Sequence, residues 1–310
     1  MVEFKNILVD VDAGAEWHPA LDQAVELARY SGARLRIVDV VRPATDVGAV
    51  VPPEVEALWA DRRHQRLEEF ARAAPELQVE CETLTGRRPA LRLVEEVLRG
   101  GHDLLVRSHA RDLAQPHPKG HGAIDMQLFR KCPCPVWTVG PGLRQQPQRI
   151  LAAVNASPAD LEEQRLNVKV LESALHLARA DAARVTVLQA WEPFGEQLLR
   201  GRYSQHDLRI YVEDSRRAAS AALDALVATL GRPLQGAAIE LSKGHPEDVV
   251  PLYVNDHGID LVVMGTVART GVPGLLMGNT AERMLQRLWC SILAVKPDGF
   301  QTPVTLQNAR

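Results

Sequence analysis

Four cysteines, Cys81, Cys132, Cys134 and Cys290, are all that 310 residues contain, and no two form a CxxC pair. That scatter offers no disulfide framework. The N-terminal MVEFKNILVDVD enters a strand pattern directly, without the charged and then apolar regions of a leader, so the expectation is a cytoplasmic protein with free thiols. No run reaches the ~20 apolar residues of a membrane span. Basic excess is missing too: 36 Lys and Arg stand against 39 Asp and Glu, leaving −3 at pH 7 and no electrostatic footprint for nucleic acid. A Walker lysine motif, GxGxxG, HExxH and GxSxG are absent, and no acid/base pair is fixed by spacing. No catalytic residue is assigned.

The length suits two domains of about 150 residues, and 46% hydrophobic content suffices for two cores. The chain also repeats itself. NILVDVD at 6–12 returns as RILAAVN at 149–155, and CPVWTV from Cys134 returns as CSILAV from Cys290. Leu21, Ala24, Val25 and Ala28 match Leu171, Ala174, Leu175 and Ala178 at helical spacing. Pro89 and Asp103 likewise match Pro246 and Asp260. Each half reads as alternating strands and helices, which predicts α/β architecture with strands near 6–12, 34–40, 78–84, 102–108 and 135–139, then 149–155, 184–190, 237–242, 259–265 and 291–295. The expected divisions are 1–141 and 148–297, with 298–310 as a loosely held tail.

The most informative stretch is IDLVVMGTVARTGVPGLLMGNTAE, residues 259–282. A β-branched run ends at Gly265, and the loop beyond carries Gly271, Gly274 and Gly278, residues that permit positive φ and close backbone approach to a ligand. Asn279 reads as an N-cap with Glu282 completing a capping box, which aims a helix N-terminus at the loop and favours an anion.

This stretch resembles the nucleotide loop of the universal stress protein family, whose pattern is Gly, two residues, Gly, nine residues, Gly, then Ser or Thr. Gly265 and Gly278 fall on its first and third glycines, Ala268 on the second and Asn279 on the Ser/Thr, with Thr280 following. The resemblance extends over nearly the whole chain and is similar to the tandem, E-type subgroup. It implies two Rossmann-like domains, each a five-stranded parallel sheet of order 3-2-1-4-5 flanked by helices and joined through their final strands as an intramolecular pseudo-dimer, with homodimerisation a further expectation. In such a sheet the ligand crevice lies at the carboxyl ends of the first and fourth strands. It further implies a non-catalytic stress-response protein binding ATP or ADP, with Mg²⁺ accompanying it, in the second half. The residues assigned are Asn155, Ala156, Ala190, Met264, Gly265, Val267, Ala268, Gly278, Asn279 and Thr280. Asn155 stands where the family has an acidic residue. A slow ATP hydrolase and a carrier of an amphipathic, nucleotide-linked ligand are the alternative readings.

The first half departs in the opposite sense: Asp12 keeps the family's acidic position, but Ser108, Arg111 and His121 stand at its three glycines. Arg107, Arg111 and Lys119 are cations of a solvated loop. Metal chemistry would have to come from His109, His117 and His121 with Cys132 and Cys134; the Cys-Pro-Cys spacing is not that of zinc sites, and no metal is assigned. Asp10 reads as a paired structural carboxylate, His176 and His245 as surface residues, and Tyr203, Tyr211, Leu223, Leu226 and Leu230 as core or as the lining of an apolar site.

Overall fold

The computed structural model describes residues 3–43, 51–109, 121–140, 146–156, 160–181, 183–231, 234, 236–266 and 277–306. In the first half the elements are β1 (Asn6–Asp10), α1 (Pro19–Ser31), β2 (Arg34–Val41), α2 (Pro53–Arg72), β3 (Val79–Thr85), α3 (Pro89–Gly100), β4 (Leu104–Ser108), α4 (Ala123–Lys131) and β5 (Val136–Val139). The second half repeats this as β6 (Arg149–Val154), α5 (Leu161–Asp181), β7 (Arg184–Trp191), α6 (Glu196–Leu199), α7 (Gln205–Ala228), β8 (Ala238–Lys243), α8 (Pro246–His257), β9 (Leu261–Gly265), α9 (Asn279–Leu285) and β10 (Ser291–Val295). One short helix, α6, has no counterpart among the described residues of the first half.

The strands form one ten-stranded sheet, β3-β2-β1-β4-β5-β10-β9-β6-β7-β8. Each half is parallel in the expected order 3-2-1-4-5, and the halves meet where β10 runs antiparallel to β5, Leu293 opposite Trp137. Alternation along each strand feeds two apolar layers, one per face: Ile7 and Val9 enter the first, Leu8 the second, and both layers run through both halves. The matched aspartates explain how each sheet starts. Asp103 accepts the N–H groups of Lys5 (2.7 Å) and Asn6 (3.1 Å), and Asp260 accepts those of Gln148 and Arg149 (both 2.9 Å), fixing the first strand of each half beside the fourth.

Side chains also cross the junction. The Gly140 N–H donates to Ser291 Oγ at 3.0 Å, Arg130 pairs with Glu282, and α1 packs on α5. His176 is buried there, edge-on to the rings of Phe4 and Tyr30, so it is not the surface residue expected from sequence. Lys296, 1% exposed, donates to the Phe129 carbonyl in the first half and to Thr266 Oγ1 (2.8 Å) in the second. Burial pushes its ammonium down from 10.5 to about 8.

Three local readings change. Gly278 is the N-cap of α9, so Asn279 is the first helical residue and Glu282 the fourth; a capping box needs the acid at the third, and Glu282 pairs with Arg130 instead. Gly278 has φ −72°, which any residue adopts. Gly265 is explained by close packing, since a Cβ there would lie 2.7 Å from Leu166 Cδ2 on α5. Gly271 and Gly274 lie outside the described residues. Tyr203 is exposed, whereas Leu223 and Leu226 are core and Leu230 packs against it.

Two outcomes follow from this packing. Gly265→Ala should destabilise the fold by roughly 1–3 kcal/mol through overpacking. In urea unfolding, a double-mutant cycle with Leu166→Ala should recover part of that loss; simple additivity would remove the steric explanation. For Lys296, the unfolded chain holds its proton between pH 8 and 10.5 while the folded chain releases it, so its burial cost fades as pH rises through that window. The stability of the protein relative to Lys296→Met should therefore be flat below pH 8 and rise by about 3 kcal/mol toward pH 10.5. A constant difference across that range would contradict it.

Candidate functional site

Parallel pairing of β6 with β9 brings the ends of two strands together that are more than 100 residues apart in sequence, Ala153 beside Met264. Beyond them opens a cavity of about 1490 Å³, lined by Asn155, Ala190, Met264, Gly265, Gly278, Asn279 and Thr280 among others. Ala156 is buried beside it. Val267 and Ala268, like Ser157, lie outside the described residues.

Two buried amides that sequence reading missed shape the end of β6. Asn167 on α5 accepts the Asn155 N–H (3.1 Å) and donates to its carbonyl (2.9 Å), and Gln189 on β7 accepts the Ala156 N–H (3.3 Å). For Gln189 the signal was present in the sequence, an amide within the otherwise apolar run Val187–Trp191. These bonds clamp the backbone and leave the exposed Asn155 side chain pointing to Glu163, to whose Oε1 it donates at 2.6 Å.

The tail is also part of the site. Residues 297–303 line the cavity, Asp298 pairs with Lys169 at 2.7 Å, and the Phe300 ring lies 4.9 Å from Lys296 Nζ. Val304 packs against the apolar layer. Of the tail expected to be loose, residues 298–306 are described, and 297–303 form one wall of the cavity. Carboxylates ring the rest: Asp160, Glu162, Glu163, Glu192 and Glu247 border the cavity, with exposed His245 3.2 Å from Glu192.

The equivalent crevice of the first half is occupied by its own side chains. Arg63 reaches from α2 to both Asp12 and Asp39, and Asp39 holds the strand position that Gln189 holds in β7. Burial raises the Asp12 carboxyl's proton affinity, but the Gly14 N–H and Arg63 outweigh it and keep it below its usual range. Arg107, expected to be a loop cation, is buried and joins Asp10 (3.1 Å) to Asp125. Asp10 is thus the paired carboxylate expected, with burial raising its pKa despite Arg107. Arg111, His117 and Lys119 lie outside the described residues.

The histidine and cysteine set weighed from the sequence divides. His109 and His121 converge on Asp125, while the Cys132 and Cys134 sulfurs lie 3.5 Å apart in the apolar layer beneath α4. All four cysteines are free; burial raises the Cys134 thiol well above its ordinary value and Cys290 to about 12. Gly122, not His121, holds the N-cap of α4 as Gly278 does for α9, with φ −69°. The strand alignment slips by one residue across the loop, which is why counting from Ser108 mislaid this glycine.

Among the described residues no helix is long and apolar enough to cross a membrane. The model of the universal stress protein family matches residues 3–140 and again 147–296. Universal stress protein E of Escherichia coli K12 is 27% identical over 322 residues, covering 99% of both chains, and that of Salmonella typhi is 29% identical at the same coverage. A functionally unknown protein from Pseudomonas aeruginosa PAO1 shares the fold at a TM-score of 0.69 and 24% identity, covering 96% of this chain and 94% of its own. A universal stress protein from Archaeoglobus fulgidus aligns at a TM-score of 0.62 and 12% identity, covering 95% and 98%. Two matches in one chain, joined through their last strands, make this protein a member of the universal stress protein family in its tandem, E-type form.

Proposed function

We propose that the second half is a non-catalytic nucleotide-binding site of a cytoplasmic stress-response protein, with ATP or ADP as ligand. The observation that carries this is the convergence of the β6 end, the β9 end and the start of α9 on one cavity. First-turn N–H groups at Asn279, Thr280 and Ala281 have no acceptor within the helix and suit phosphate oxygens, while Asn155 offers an amide toward a ribose. The carboxylates around the cavity would repel a bare polyphosphate. Mg²⁺ accompanying the nucleotide offsets that repulsion. Val267 and Ala268 belong to the same proposal. Four free cysteines fit a reducing compartment.

A second reading is favoured by size. About 1490 Å³ exceeds the roughly 300–1,000 Å³ of ordinary small-molecule sites, and Leu166, Trp191, Phe194, Met284 and Phe300 give the walls apolar character. A nucleotide carrying an apolar extension would use that space better than ATP alone. No described feature favours the hydrolase alternative.

Calorimetry of the full chain with MgATP, and native mass spectrometry of what co-purifies, test both readings. The ordinary φ of Gly278 lets Gly278→Val fold while placing a branched side chain at the cavity wall. That variant should bind at least ~10-fold more weakly, about 1.4 kcal/mol. Asp12→Ala in the first half should bind as the parent does. Equal binding by Gly278→Val, or loss only in Asp12→Ala, rejects the assignment to the second half. A co-purified mass well above that of ATP selects the amphipathic ligand, and steady phosphate release on MgATP selects the hydrolase.

A further inference from the structure

The first half has lost most of the family's glycine pattern, yet the same crevice holds a group of buried and half-buried polar side chains. Asp10, Arg107, His109, His121, Asp125 and Thr138 gather where β1, β4, β5 and α4 meet. The second half provides an internal control. Strand register and helix N-caps place Ala153, Met264, Thr266, Met277, Ala281 and Ala294 at the corresponding positions. Five of these six are apolar and the sixth, Thr266, accepts the buried Lys296 ammonium, so the second half folds with a single cation where the first holds an ion cluster. Burying an ion cluster in place of alanine and methionine gives no stability that apolar packing would not also supply.

The geometry points to a divalent transition-metal site, of the zinc class, formed by His109, His121 and Asp125. One ligand atom from each lies within 4.8 Å of the others. Side-chain exposures are 9%, 2% and 1% respectively, so the three converge away from bulk water. Tetrahedral zinc with ligands at about 2.0–2.1 Å keeps them about 3.3 Å apart. His109 Nδ1 is hydrogen-bonded to Asp125 Oδ2 at 2.7 Å, and His121 Nδ1 lies 3.6 Å from the same oxygen, near that value. The 3.6 Å gap is too long for a hydrogen bond. His121 is otherwise weakly held: Thr138 Oγ1 is 3.4 Å from its Nδ1, and its buried Nε2 has no hydrogen-bond partner among the described residues.

Arg107 fits as the outer partner. It bonds Asp125 Oδ1, leaving Oδ2 to the histidines, and its other side is neutralised by Asp10. Asp125 Oδ2 faces both imidazoles, so one cation between them would share that oxygen. The donor set, two imidazoles and one carboxylate, suits zinc and leaves a fourth position for water. Cys132 and Cys134 are not part of it, since they lie with each other in the apolar layer.

The test uses tag-free, chelator-treated full-length protein, titrated with Zn²⁺ and with Co²⁺ as the visible probe. One ion per chain should bind, Co²⁺ should show the absorption of a low-coordinate nitrogen and oxygen site, and Zn²⁺ should raise the unfolding temperature. His109→Ala and His121→Ala should each weaken binding by ~100-fold or more, and the milder His121→Gln guards against misfolding in either. Cys132→Ser/Cys134→Ser should bind as the parent does. Absence of stoichiometric binding would show that the cluster is an ion-pair network alone. Binding that survives the histidine variants, or is lost with the cysteines, would equally overturn the site.

Discussion

The antiparallel pairing of β10 with β5 is the contact on which the molecule depends. Each strand would otherwise be the unpaired edge of a five-stranded sheet, short, apolar and open to further pairing. Only three residue pairs define the junction, with Trp137 opposite Leu293 at its centre, so backbone bonds alone are too few to join two domains. Apolar burial supplies the rest, because Trp137, Val139, Leu293 and Val295 belong to one continuous layer and Val136, Ile292 and Ala294 to the other. His176 of α5, seated against Phe4 and Tyr30, extends the contact to the helices. The halves share one core, and neither can be treated as an independent unit.

Within that frame the two crevices have diverged by opposite means. In the second half, backbone does the work: Gly265 lets β9 approach Leu166, and two amides, Asn167 and Gln189, clamp the end of β6 so that the space beyond it stays open. In the first half, side chains fill the space. Arg63 spans Asp12 and Asp39, and Arg107 spans Asp10 and Asp125. Removing Arg63 would strand the buried Asp39 carboxylate, and removing Arg107 that of Asp125. A small set of substitutions thus turns an open cradle into a packed polar cluster without altering strand order.

The repeat, strand order and joining strands were legible because they rest on patterns within each segment: β-branched runs, helical spacing, and Asp103 matched to Asp260. What escaped reading depends on partners far away in sequence. Glu282 looks like a capping residue until Arg130, 152 residues earlier, takes its carboxylate. His176 looks like a surface residue until Phe4 and Tyr30, from the other half, close over it. Gly122 was hidden by a one-residue difference in loop length, which no local motif reveals. The contacts of residues 297–303 with the cavity escaped reading for the same reason, since Lys169, which pairs with Asp298, lies 129 residues before it.

Lys296 links these features physically. Its ammonium is hydrogen-bonded to Thr266, whose carbonyl receives the Gly278 N–H at 3.1 Å and so ties the end of β9 to the start of α9. The same ammonium faces the Phe300 ring in the tail wall and holds the Phe129 carbonyl at the end of α4. Loop, tail and first half therefore meet at one buried cation. A buried ammonium is costly unless its donors are satisfied, so each partner constrains the others: moving the tail removes the ring, and moving the loop removes an acceptor. This makes the wall formed by residues 297–303 a continuation of the domain junction, and couples the shape of the second-half cavity to the packing of the first half.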